Sequence, residues 1–193
     1  CDLPTLDGHD LVGDAEGEIT LWNISTSEKR AQRWTQRAHT GPVTTIKAIE
    51  TSSPPKASVP LLRKRRHVGR DARVSLVASS GGGVVKLFVI DKIGEAHMVS
   101  HFMANDSLSA IGLVSGRRLQ SPRRDRVEQH WWHGVVCGTI QGFVEYWEMG
   151  RDGSIHVDSA TTARREHFLE VTQVEAVKSL DVTKCLSLTC SRD

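Results

Sequence analysis

Apolar and small positions recur along the chain in short runs that suit half-buried strands, broken every few residues by Gly, Asp, Ser or Pro. Three segments share one order of positions: LVGDAEGEITLWNI (11–24), LVASSGGGVVKLFVI (76–90) and VVCGTIQGFVEYWEM (135–149). Each runs from an apolar pair through small residues to a Gly, then into a β-branched and aromatic stretch. A fourth, LSLTCSRD (186–193), matches the first half of that order. Gly17, Gly83 and Gly142 supply the positive φ that tight hairpin turns require, and the residues after them have high strand propensity, so each segment predicts a hairpin. Further strands are predicted at 30–39 and 43–49, at 97–104 and 107–114, and at 154–162 and 171–182. Four strands per unit, short turns and no helical periodicity predict an all-β repeat.

The turn Gly followed by ITLWN, a His-bearing turn ahead of the next strand and the terminal CSRD resemble the WD-repeat β-propeller family, whose units end near a Trp-Asp pair. Here that pair reads Trp22-Asn23, Phe88-Val89 and Trp147-Glu148, and the family's Gly-His signature reads Ala38-His39. The resemblance covers nearly the whole chain apart from two insertions. It implies a β-propeller fragment of about three four-stranded antiparallel blades, incomplete at both ends: a blade part at 11–24, blades at 30–90 and 97–149, and a partial blade at 154–193. Closed propellers commonly have four to eight blades, so such a fragment does not close by itself and is expected to expose unpaired edges on its end blades. The family also implies a hydrogen-bonded network joining a Trp of the third strand, a Ser or Thr of the second, the His of the turn before the first, and an Asp in a tight turn. Trp22 and Trp147 match the Trp position, His39 the His position, and Ser80, Thr139 and Ser191 the hydroxyl position, while Asp193 stands just ahead of a fourth turn. Phe88 has no N–H to donate, so the network in the second unit is expected to be incomplete.

Spacing adds the insertions. The turn glycines are 66 and 59 residues apart, against roughly 40 to 45 residues for a WD unit. Two polar, Pro-bearing segments account for the excess: TSSPPKASVPLLRKRRHVGRDAR (51–73) and SGRRLQSPRRDRVEQHWWH (115–133). The first holds Arg63, Lys64, Arg65, Arg66, Arg70 and Arg73 near a lone Asp71; the second holds Arg117, Arg118, Arg123, Arg124 and Arg126 beside Asp125. Both follow the first strand of a unit, so both are expected on one face of a repeat fold, where they would form a positive patch for acidic proteins, RNA or anionic lipid, or the first would serve as a nuclear localisation signal. The alternative is a pair of solvated loops with no specific role. Trp131 and Trp132 are expected to open the strand after the second insertion.

Composition changes this picture little. In 193 residues, 38% hydrophobic and 25% charged content is ordinary for a soluble globular chain, and a formal charge of +2 gives no reason to expect wholesale nucleic-acid binding. The chain begins at Cys1 with no basic-then-apolar leader, which reads as a start inside a longer protein or after processing. No apolar run approaches the roughly 18 residues of a membrane span. The four cysteines, Cys1, Cys137, Cys185 and Cys190, have no CxxC spacing and read as buried free thiols of an intracellular protein, cytoplasmic or nuclear.

Catalytic and ligand-binding patterns are weak. The close His pairs are His130 with His133 and His97 with His101; the second carries Met98 where a zinc protease motif has Glu, and on a strand its two rings share a face about 13 Å apart at ~3.3 Å per residue. SSGGGVVK (79–86) lacks the ending of a phosphate loop and a following helix. No nucleophile elbow or Cys–base pair is present. The expectation is a non-catalytic protein-interaction scaffold with no cofactor, metal or small-molecule substrate; the alternative is a nuclear, nucleic-acid-associated propeller acting through the Arg-rich loops.

Overall fold

A computed structural model of the chain describes residues 1–24, 31–51, 73–119, 129–150, 155–157, 164–165, 170–178 and 185–191. Strand-forming runs and turn glycines set its elements. β1 (His9–Gly13), β2 (Glu18–Asn23) and β3 (Ala31–Arg37) form a first sheet in chain order. Asp2 bridges Asp10, and Leu11 N donates to Cys1 O at 2.9 Å, so residues 1–3 stand beside β1 where the next sheet has a full strand. That second sheet is β4 (Thr45–Thr51), β5 (Val74–Gly81), β6 (Val84–Ile90) and β7 (Ala96–Met103). The third runs β8 (Leu108–Leu119), β9 (Gln129–Thr139) and β10 (Phe143–Met149), with β11 (Ile155–Val157) and β12 (Arg164–Arg165) both pairing with β10. β13 (Val171–Lys178) and β14 (Cys185–Ser191) make the fourth.

The chain is all-β, and its sheets stack in sequence order because successive side chains on a strand face opposite ways. Ile19 and Leu21 of the first sheet meet Val77, Phe88 and Ile90 of the second in one buried cluster. The alternate residues Leu76, Ala78, Val85, Leu87 and Val89 turn to the third sheet and meet Val135, Cys137, Trp147 and Met149. The third sheet's other face, with Ala110, Val114 and Val136, meets Val171 and Val174 of the fourth. Every residue of β5 is buried because its sheet is covered on both faces, which is why its sequence shows no polar alternation. β8 lies against both β4 and β13, so the first strands of successive sheets gather together, as in a partial β-propeller. The small residues ahead of the turns admit the next sheet: a Cβ on Gly138 would lie 2.5 Å from Val171 Cγ1, and one on Gly13 would lie 2.5 Å from Val43 Cγ1.

Two boundaries differ from the sequence reading. The segment at 30–39, grouped there with the second blade, forms β3 and pairs with β2, so the repeat unit begins with the last strand of the preceding sheet. The 115–133 insertion is partly ladder, because β8 and β9 continue into it with Gly116 opposite Trp132, Arg117 opposite Trp131 and Arg118 opposite His130. Trp131 and Trp132 do lie on the strand that follows the insertion. Among the described residues no helix is long and apolar enough to cross a membrane.

Candidate functional site

The turns are built first, since they position the buried polar groups. Asp14 Oδ1 accepts hydrogen bonds from Glu16 N at 2.9 Å and Glu18 N at 2.8 Å, and Gly17 closes the loop at φ +83°. Asp91 Oδ1 does the same for Ile93 N and Glu95 N, at 3.0 and 2.9 Å, with Gly94 at φ +84°. The sequence signals both turns, as DAEGE and DKIGE. At the third repeat Thr139 Oγ1 accepts from Phe143 N at 3.0 Å, so this hydroxyl caps its own turn. The β5–β6 turn is one residue shorter, with Gly82 and Gly83 at φ +59° and +82°, the two-residue form that requires positive φ twice.

That shorter turn overturns one assignment. Counting back from the turn Gly selects Ser80 as the hydroxyl partner of His39, but Ser79 is the residue that shares a 2.9 Å hydrogen bond with His39 Nε2. Ser80, pointing to the opposite face, pairs with Thr44 Oγ1 at 2.8 Å. His39 is buried in the loop between β3 and β4, and its backbone N–H donates to Gly17 O at 3.0 Å. Its Nδ1 is buried with no hydrogen-bond partner among the described residues. Burial, and then the positive charge of Lys86, hold its pKa below the ordinary 6.5, so the ring is neutral. A Cβ on Gly81 would lie 2.7 Å from the ring's Cγ, so the close approach of β5 to His39 needs a glycine there. Phe88 fills the Trp position and packs edge-on to Trp34, with ring centroids 6.1 Å apart.

The third sheet solves the same place differently. Trp147 Nε1 donates to Glu145 Oε2 at 3.1 Å, Asn105 N donates to the same oxygen at 3.4 Å, and Phe102 stacks on the indole at 4.4 Å. Glu145 is only 3% exposed. Cys137 opposes it in the ladder, and burial followed by the Glu145 charge pushes the thiol well above its usual pKa, so it stays protonated and unreactive. Sequence reasoning missed Ser79 and Glu145; the signal for Glu145 was an acid inside the apolar run FVEYWEM.

The remaining expected residues are spread. Trp22 is half-buried on the face of the first sheet that points away from the second, so it is not the buried counterpart of Trp147. Gly17, Gly83 and Gly142 occupy the positive-φ turn positions predicted for them. Ser191 opposes Val171 at the end of β14, and Arg117 and Arg118 lie on β8. Arg63, Lys64, Arg65, Arg66, Arg70, Arg123, Arg124 and Asp193 lie outside the described residues. No group of three or more His, Cys, Asp or Glu residues is placed to hold a metal ion among the described residues.

Interstrand loops fix the polarity of the stack. Ala38 N and His39 N donate to Gly17 O, Thr44 N to Ser80 O, Ala104 N to Gly83 O and Ile140 N to Ser107 O, so these turns lie at one end. β4 and β8 both start there. They therefore both finish at the opposite end, from which the chain enters the insertions at 51–73 and 115–133. Arg73 and Glu50, paired at 3.1 Å, join β4 and β5 at that end.

No protein-family model matches the chain, and no curated protein matches it. Among solved structures, the crystal structure of Sqt1 from Chaetomium thermophilum is similar at 14% identity and a TM-score of 0.42. The match covers 93% of this chain and 49% of that one, so the chain spans about half the length of the structure it resembles.

Proposed function

We propose that this chain is a non-catalytic interaction scaffold that receives an acidic protein segment at the end where its two Arg-rich insertions leave the sheets. The observation that carries this reading is the shared polarity of β4 and β8, neighbouring first strands that both deliver their chain to the same end. Charge is segregated accordingly. The insertions 51–73 and 115–133 hold twelve Lys and Arg residues against three acids, whereas the rest of the chain holds thirteen against twenty. The near-neutral total thus conceals two basic segments in an otherwise acidic sequence, and a field so arranged steers and orients a charged partner more than it sets affinity. The buried polar groups support the same reading: His39 shares a bond with Ser79 and burial lowers its pKa, burial raises that of Cys137, and Glu145 is held by two donors.

The test is binding of a poly-glutamate peptide to the full chain, compared with a variant in which Arg63, Lys64, Arg65 and Arg66 are changed to Ala. Binding to the parent that weakens with salt and falls at least tenfold in the variant is the expected result. Equal binding by both chains refutes the basic end as the docking surface. Tighter binding to single-stranded RNA than to the peptide, with a steep salt slope, would select the nucleic-acid alternative instead.

A further inference from the structure

The outer strands break register at one place. In the first sheet β3 pairs with β2 as Leu21 opposite Trp34 and then Trp22 opposite Gln32, which leaves Arg33 as an extra residue. In the second sheet β7 pairs with β6 as Leu87 opposite Ser100 and then Phe88 opposite Met98, which leaves Val99 extra. Both breaks fall between the fourth and fifth residues after the turn glycines Gly17 and Gly83. In the third sheet the outer partner is split in two: Val144 opposes Arg164 in β12, while Trp147, at the fifth position after Gly142, opposes Val157 in β11. There β10 advances three residues while its partner advances seven.

An outer strand is otherwise a ready template for another strand. β3 is such an edge, with every residue but Trp34 exposed, and β7 carries Met98 and Met103 at 46% and 71% exposure. A bulge bends the strand, increases its local twist and interrupts the row of outward N–H and C=O groups, which is how native edges avoid strand addition. The turns at the other side of β2 and β6 differ in length, yet the breaks on β3 and β7 coincide. The shared position therefore belongs to the outer edge and is not inherited from the turn.

We infer that these aligned breaks close the outer rim to β-strand addition, by a second copy of this chain or by an extended peptide, and so leave recognition to the two ends of the stack. The aligned position is also the aromatic one, occupied by half-buried Trp22 in the first sheet and by buried Phe88 and Trp147 in the second and third.

The test is deletion of Arg33 in the full chain, which makes the β2–β3 ladder continuous, with Arg33→Ala as the control that keeps the extra residue. Sedimentation velocity is run over a hundredfold concentration range beside thermal unfolding. The expected result is self-association of the deletion at concentrations at least tenfold lower than for the parent or Arg33→Ala. A cooperatively folded deletion variant that sediments like the parent overturns the inference. So does loss of cooperative unfolding in the deletion alone, since the extra residue would then serve the sheet's own geometry; self-association of Arg33→Ala equal to that of the deletion would trace the effect to lost charge and overturn it as well.

Discussion

The second and third sheets face each other across the largest core and hold contrasting chemistry at equivalent places. Three residues after the turn Gly, Lys86 opposes Ser79 in one sheet and Glu145 opposes Cys137 in the other. Two residues further on stand Phe88 and Trp147. In the second sheet the hydroxyl finds the imidazole of His39 and the aromatic ring needs no partner. In the third sheet the indole N–H needs an acceptor, and a carboxylate replaces the hydroxyl as its anchor. Burial permits either solution, with His39 Nε2 paired although its Nδ1 is not; a lone substitution that breaks one pair is costly even where the apolar packing survives.

The largest effect is expected at the third sheet. Trp147→Ala removes the ring stacked on Phe102 and deprives Glu145 of its indole donor, for a loss of about 3–5 kcal/mol in urea unfolding. Trp147→Phe separates the two contributions, since it keeps an aromatic ring and loses only the N–H; about 1–3 kcal/mol is expected. If the two variants unfold at the same midpoint, the indole–carboxylate bond carries the whole effect and the stacking none. In the second sheet, Phe88→Trp should not repair the network. Phe88 is 1% exposed, so the larger ring overpacks the core and stability falls by about 1–3 kcal/mol; a gain in stability would show that a buried acceptor was waiting for the indole.

A smaller loss, about 1 kcal/mol, is expected for Ser79→Ala, and none comparable for Ser80→Ala, because Ser80 shares its partly buried bond with Thr44 near the strand end. The smallest effect is in pH dependence. Because the folded-state pKa of His39 lies below its unfolded value of 6.5, the unfolded chain takes up the proton first as pH falls. Stability should thus be fully present above the unfolded pKa and decline as pH drops below it, and His39→Gln should flatten that slope in denaturation midpoints measured from pH 8 to about 5.

Local chemistry was legible where it is local. The turn glycines and the strand-forming residues after them announced the hairpins, because positive φ and β-propensity depend on a few adjacent residues. Ser79 was missed because the two-residue Gly82–Gly83 turn shifts the opposing strand by one, and alternation then exchanges faces. Glu145 was missed because an acid in an apolar strand declares itself only when its donors, Trp147 Nε1 and Asn105 N, are placed around it. Trp22 and Trp147 look alike in sequence, yet one is half-buried and the other 8% exposed.

The sequence by itself determined the strands, their hairpin pairing and the positions of the turns, since each follows from propensities and backbone restrictions acting over a handful of residues. Tertiary structure decided which face of each sheet another sheet covers, hence which Trp is an anchor and which Ser meets His39. Those outcomes depend on how sheets far apart in the chain stack, and burial is a property of the neighbour as much as of the residue.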